Sequence, residues 1–301
     1  MRKLKPSDVD SLEFIKGIIN STNKRKGEEN LPIGQTYKEK CLSTVDDNKD
    51  YIETYDTVFD ANTLQSLEGT HPVLSTSDKD RMRSLYSYPR TLIANLRKNV
   101  LTEDGYENNF CPLCEINLVN TMDHFIPQND YPLLAVHPRN LIPSCSMCNG
   151  HKSDSITDGN GNRKFWNAYI DTPPTESYLF CDVIEKNGLP TIHFYIKQGN
   201  IDNETFRLIK NTMDDKGQKM FNVFKMVCGK IISELKNQVI QYFRKSGQPL
   251  DKCIQVVKME IENNFEPNKC EDVVKKALIE SSLFQSCVEK ELKRLDDKYI
   301  V

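Results

Sequence analysis

Residues 111–124 read CPLCEINLVNTMDH, and residues 145–152 read CSMCNGHK. Each stretch holds a Cys-x-x-Cys pair, and an Asp-His dipeptide, Asp123-His124, lies between the pairs. Tetrahedral zinc takes four soft ligands, and a Cys-x-x-Cys turn supplies two thiolates about one coordination sphere apart. The interval from Cys114 to Cys145 is long enough for a hairpin or loop to return the second pair beside the first. Cys111, Cys114, Cys145 and Cys148 are therefore the expected ligands of one structural zinc. A site closed by four cysteines leaves no open position for water, so the ion holds the fold and other groups must react.

Asp123 and His124 are the candidates. An imidazole of near-neutral pKa takes a proton from water at physiological pH. A carboxylate beside it can hold a hard dication such as magnesium or manganese, which takes oxygen ligands. Adjacent residues on a strand point to opposite faces, so the two address one site only where a twist or bulge intervenes. Asn149 directly follows the last zinc cysteine. Its amide oxygen is thereby positioned by the staple, and it is the expected second ligand of the catalytic metal. Lys152, about a helical turn past Cys148, is a candidate phosphate contact; the adjacent His151 is expected to be simply exposed, and His137 to be structural.

With these residues in view, DHFIP at 123–127, RNLIPSC at 139–145 and CNGHK at 148–152 resemble the HNH endonuclease motif of the ββα-metal (His-Me finger) superfamily. The likeness is to the branch whose finger is stapled by two Cys-x-x-Cys pairs. It implies that His124 is the general base and that Asn140 orders the loop holding it. It also implies that Asp123 and Asn149 hold the catalytic Mg or Mn, Asn149 standing where the family often has His. The implied reaction is metal-dependent hydrolysis of DNA to 5′-phosphate and 3′-hydroxyl ends. Nε2 of His124 is expected to take the proton, with a backbone carbonyl on Nδ1. The chain is also similar in outline to HNH subunits that bacterial anti-phage systems such as Septu pair with an ATPase, which implies such a partner. The alternative is a four-cysteine zinc ribbon that binds nucleic acid or protein without catalysis, a module that needs none of Asp123, His124, Asn140 or Asn149.

The remaining sequence bounds this reading. With 301 residues, 38% hydrophobic and 28% charged, the composition is that of an ordinary globular chain. No apolar run reaches the eighteen or so residues of a membrane span, and the N-terminus MRKLKPSDVDSLEF lacks the apolar stretch of a secretory signal. A cytoplasmic location is expected. Cys41, Cys181, Cys228, Cys253, Cys270 and Cys287 lack partners at ligand spacing and are expected to pack as small hydrophobes.

A net charge of −3 gives no global attraction to nucleic acid. Binding must come from a local basic face, and residues 79–98, KDRMRSLYSYPRTLIANLRK, carry six basic residues and one acidic. Arg81, Arg83, Arg90, Arg97 and Lys98 are the expected DNA contacts, with Tyr86 or Tyr88 available to stack and Arg163 with Lys164 as a second patch. This segment reads as two helices broken at Pro89. Helical periodicity is also expected from Ser7 to about Asn23 and through the last hundred residues, in stripes such as Phe221, Phe224, Val227, Ile231, Leu235 and Val239. Asn268 with Glu271 reads as a helix start, and Lys186-Asn187-Gly188 as the turn of a hairpin. The expected fold class is α+β, mostly α: a central zinc-bound ββα-metal finger (101–170) followed by a β-hairpin, with helical N-terminal (1–100) and C-terminal (171–301) regions.

Overall fold

The computed structural model describes residues 1–23, 25–57, 71–87, 90–150, 152, 156–158, 160–214 and 219–297. The protein is mostly helical, with small two-stranded sheets. It divides into two compact units, one spanning Arg2–Pro173 and the other Pro174–Val301. Among the described residues no helix is long and apolar enough to cross a membrane.

The first unit opens with α1 (Ser11–Asn20), α2 (Tyr37–Asp47) and α3 (Lys49–Thr57), followed by α4 (Thr76–Arg83) and α5 (Thr91–Leu101). α1 is shorter than the periodic stretch because Asp10 caps it, its carboxylate accepting from the Glu13 N–H at 2.8 Å. Val9 is left exposed outside the helix, while Ile15, Ile18 and Ile19 are fully buried. α2 starts on a capping box of Thr36 and Glu39. The two-helix reading of 79–98 matches α4 and α5, although Pro89 and Tyr88 lie outside the described residues.

Next come the short β1 (Thr102–Glu103) and β2 (Tyr106–Glu107), then β3 (Thr121–His124), a 3-10 turn at Pro132–Leu134, β4 (Leu141–Ser144) and the one-turn α6 (Ser146–Asn149). β3 and β4 pair antiparallel, Thr121 opposite Ser144 and His124 opposite Leu141. Met122, Phe125, Ile126, Leu133, Leu134, Leu141 and Ile142 share one core with Ile15, Ile18, Ile52 and Ile93 of the helices. The N-terminal helices and the β3–β4 segment therefore bury one another's apolar faces, and neither has a core of its own.

In the second unit, β5 (Leu179–Lys186) and β6 (Leu189–Ile196) form the expected hairpin, closed by Asn187 and Gly188 at φ +53° and +76°. Two positive φ values in a two-residue turn match the right-handed twist of the flanking strands, and Asn-Gly tolerates both. Around it lie α7 (Asn203–Asp214), α8 (Lys219–Ser246), α9 (Leu250–Asn263), α10 (Cys270–Glu280) and α11 (Ser282–Asp297). Phe221 and Phe224 of α8 pack on Phe194 of β6 at centroid separations of 6.1 and 5.4 Å. Asn268 does not cap α10, which begins after Lys269. It takes a left-handed φ of +68°, and its side chain binds Glu176 O and the N–H groups of Tyr178 and Leu179, fixing the entry to β5. Of the six isolated cysteines, Cys41, Cys228, Cys253 and Cys270 are buried and Cys181 and Cys287 half-buried, all as free thiols.

Candidate metal centre and active site

Two local structures bring the four cysteines together. Cys111 and Cys114 lie on a tight turn in which the Glu115 N–H returns to Cys111 O at 2.8 Å. Glu115 leaves this turn at φ +55°. Cys145 is the N-cap of α6, its sulfur accepting the Cys148 N–H at 3.4 Å. All four thiols are buried, and their sulfurs lie within 4.8 Å of one another. Cys114 and Cys145 Sγ are 4.0 Å apart, close to the tetrahedron edge of about 3.8 Å that a zinc–sulfur bond of about 2.3 Å implies. Asn117 Nδ2 also donates to Cys145 Sγ at 3.7 Å, a further donor that favours thiolate. Hydrogen bonds inside the cluster, led by those with Cys111, hold the Cys145 thiol far below its usual range and push Cys114 and Cys148 up. Four thiols this close cannot all ionise unless a cation sits among them. The set is suited to zinc.

β3 leads from this staple to Asp123 and His124. The pair meets one site because β3 ends at His124: the Phe125 N–H still donates to Asn140 O at 2.9 Å, but the chain then turns away. Asp123, His124, Pro127, Gln128, Asn129, Asn149 and Lys152 line one cleft of about 190 Å³. Asn149 closes α6, its Nδ2 donating to Thr121 Oγ1 at 3.4 Å, which leaves the amide oxygen as its free ligand atom. Lys152 Nζ lies 3.0 Å from both oxygens of Asp123.

His124 is held differently from the sequence expectation. Its Nε2, not Nδ1, bonds a backbone carbonyl, Ala135 O at 2.8 Å. The protonated nitrogen is therefore Nε2, and the lone pair is on Nδ1. The chain reverses through the 3-10 turn and offers the Ala135 carbonyl from one side of the ring. Burial lowers the His124 pKa, partly opposed by that carbonyl. The ring of Tyr86 packs edge-on against the imidazole, 4.4 Å between centroids at 72°, and its hydroxyl donates to Met122 O at 3.1 Å. Tyr86 thus braces His124 and is not placed as a free stacking platform.

Asn140 sits fully buried beneath the cleft. Its Nδ2 donates to Ile126 O and Leu134 O, both at 3.0 Å, and its Oδ1 accepts the Ile126 N–H at 2.6 Å. One side chain thus ties Ile126 to Leu134, the residue directly before the one whose carbonyl meets His124. Helix α3 reaches the same loop: Tyr55 Oη donates to Asn140 Oδ1 at 3.4 Å, and Arg139 Nη1 donates to Asp56 O at 2.9 Å.

The basic residues expected at a DNA surface are placed less favourably. Arg81 pairs with Asp78 and Arg83 with Asp80, the latter at 2.9 Å, so α4 neutralises both of its arginines. The count over 79–98 stopped one residue short of Asp78. Arg90 donates to Ile18 O at 3.3 Å, Arg97 is half-buried, and Lys98 is exposed. Arg163 is a correction: it is buried and bound bidentately by Asp171 at 2.5 and 2.6 Å, so it is no surface patch. His137 is fully buried, as a structural role requires, and His151 lies outside the described residues. Sequence reasoning missed Gln128, which lines the cleft and whose buried Oε1 has no hydrogen-bond partner among the described residues. It also missed Ala135, whose contribution is a backbone carbonyl and leaves no mark on residue type.

No family model and no solved structure matches this chain. Over 78 residues it is 37% identical to the Septu protein PtuB of Bacillus thuringiensis, covering 24% of this chain and 29% of that protein. Over 134 residues it is 28% identical to Protein ea31 of Escherichia phage lambda, covering 36% of this chain and 45% of that one. The chain spans less than half the length of either curated relative.

Proposed function

We propose that the protein is a metal-dependent endonuclease built on a zinc-stapled ββα-metal finger formed by β3, β4 and α6. One observation carries the reading: a carboxylate, an amide oxygen, an imidazole and an ammonium group converge on a single cleft beside a four-cysteine cluster. A zinc ribbon that only binds has no use for that convergence. Likeness to a Septu protein supports a role in anti-phage defence, with a partner ATPase and a cytoplasmic setting following from that role.

Asp123 and the Asn149 amide oxygen would hold a magnesium or manganese ion, which when bound neutralises charge developing on the scissile phosphate and its leaving oxygen. The Ala135 carbonyl fixes the His124 tautomer, so Nδ1 takes the proton from the water as its oxygen bonds to phosphorus. The 3′ oxygen leaves phosphorus with the electron pair of their bond and takes a proton from solvent, giving 5′-phosphate and 3′-hydroxyl ends. Burial keeps the imidazole neutral and ready to accept that proton. Lys98 is the exposed cation left on α5 for backbone contact with DNA.

The test is cleavage of supercoiled plasmid in Mg²⁺ or Mn²⁺. His124→Ala is expected to lower the rate by roughly 10²–10⁴-fold with zinc content and fold retained. Asp123→Ala and Asn149→Ala should abolish metal-dependent cutting. Parental rates in all three variants would return the assignment to the zinc-ribbon binding module.

A further inference from the structure

Lys152 is more deeply engaged than a phosphate-touching lysine needs to be. Its ammonium group lies 3.0 Å from each oxygen of Asp123 and 2.5 Å from the His124 main-chain oxygen. Both side chains of the ion pair are largely withdrawn from solvent, 12% and 11% exposed. The lysine comes from beyond α6 and its Nζ lies 5.1 Å from the centre of the Phe125 ring, so the pair joins β3 to the segment after the staple. Among the described residues Asp123 is the one carboxylate lining the cleft, and a cation of this chain already sits on it.

We propose that Lys152 is the resident counter-ion of Asp123, an intramolecular competitor that the catalytic dication must displace and that then turns to the incoming phosphate. The inference rests on the nuclease reading for its metal ligand. A magnesium ion sits about 2.1 Å from a carboxylate oxygen, which would leave it only a few ångströms from Nζ, two cations in a poorly solvated cleft. One has to leave. Lysine is the one that can, since its charge rides on a flexible four-carbon stem with rotatable donors. A phosphodiester entering with the metal offers the displaced ammonium a new anionic partner. Metal and nucleic acid therefore favour each other's binding, and by linkage the coupling is reciprocal. Without nucleic acid, Lys152 keeps the dication weakly bound and the nuclease unarmed.

The experiment is titration of Mn²⁺ into the zinc-loaded full chain without nucleic acid, read by the electron paramagnetic resonance signal of free Mn²⁺. Lys152→Met, which keeps the stem and removes the charge, should bind Mn²⁺ at least about tenfold tighter than the parent, as expected when a like charge within a few ångströms is deleted. Lys152→Arg keeps the charge and should stay close to the parental affinity. Adding Asp123→Asn to Lys152→Met should cancel the gain. Lys152→Gln answers the same question should Lys152→Met fail to fold by circular dichroism. An uncharged variant that binds Mn²⁺ no tighter than the parent, or no uptake by any of the proteins, overturns the proposal. Plasmid cleavage by the parent separates the two readings: cutting without the affinity gain removes only the exchange, and an affinity gain without cutting removes only the nuclease.

Discussion

At the scale of single residues, the division of labour between His124 and Asn140 organises the site. His124 touches the cleft, whereas Asn140 lies beneath it, bound to loop backbone and to the Tyr55 hydroxyl, yet the imidazole's orientation depends on it. Asn140 holds Ile126 and Leu134, and the residue directly after Leu134, Ala135, delivers its carbonyl to Nε2. Substitution by alanine strands a buried N–H and two buried carbonyls, each costing about 1–3 kcal/mol when unsatisfied. Asn140→Ala is expected to lose roughly 3 kcal/mol in urea unfolding and to lower cleavage as His124 loosens. Asn140→Asp, which keeps one acceptor but sets a buried carboxylate oxygen against two backbone carbonyls, should lose at least as much stability. Equal stability of Asn140→Ala and the parent would mean that the loop is held by its apolar contacts. The candidate residues themselves were legible in the sequence because chemistry selects them by type. Which nitrogen of His124 meets the carbonyl was not, since that is decided by the side of the ring from which the loop returns.

Among elements, α6 is the most dependent on its surroundings. A single helical turn does not persist alone in water, because nucleation fixes several dihedrals for one hydrogen bond. Here the Cys145 sulfur caps it and Cys148 ties it to the Cys111–Cys114 turn. The same turn carries Asn149 into the cleft. Metal affinity at such a site is folding free energy. The purified protein should hold one zinc for its four sulfurs, and chelation or Cys111→Ser should lower the melting temperature and release Asn149 from its place. An unchanged melting curve after the zinc is stripped would show that the cluster does not staple the fold. The hairpin β5–β6 is the opposite case. Its Asn-Gly turn and alternating strands are local signals, so its register could be read directly, whereas the pairing of β3 with β4 spans a sixteen-residue loop that has no such signature.

For the whole molecule, the first unit is joined through buried polar contacts as well as through its apolar core. His137 shows this best. It is fully buried, its ring meets Tyr55 of α3 edge-on at 4.9 Å, its Nδ1 accepts the Arg139 N–H at 3.2 Å, and Asp56 lies 3.5 Å from Nε2. Burial, with the Arg139 charge nearby, lowers its pKa to about 3. Above the ordinary imidazole value of about 6.5 the residue is neutral in both folded and unfolded chains. As pH falls below that value, the unfolded chain binds a proton that the folded one refuses, so stability drops. The expected loss from this group is about 1 kcal/mol between pH 7 and pH 5.5. It is measured as the difference in urea unfolding between the parent and His137→Leu, a comparison in which zinc-linked acid sensitivity cancels. Identical pH slopes would show that His137 takes up its proton while folded.

The four cysteines, the Asp-His pair and the helical stripes are properties of residue type and spacing, and the sequence by itself determined them. Packing determined the rest. Arg81 and Arg83 look like free cations in a bare count, although helical spacing already sets Asp78 and Asp80 one turn before them, whereas only the folded chain sets Asp171 against Arg163. Asn268 looks like a helix cap, and only the approach of residues 176–179 gives its amide other partners. Tyr86 and Ala135 reach His124 across loops, as Lys152 reaches Asp123 from beyond the staple. The contacts of Asn268, Tyr86, Ala135 and Lys152 join residues separated in sequence, where no periodicity or propensity signals the partner, and those around the cleft are fixed by the mutual burial of helices α1–α5 and the β3–β4 pair in one core.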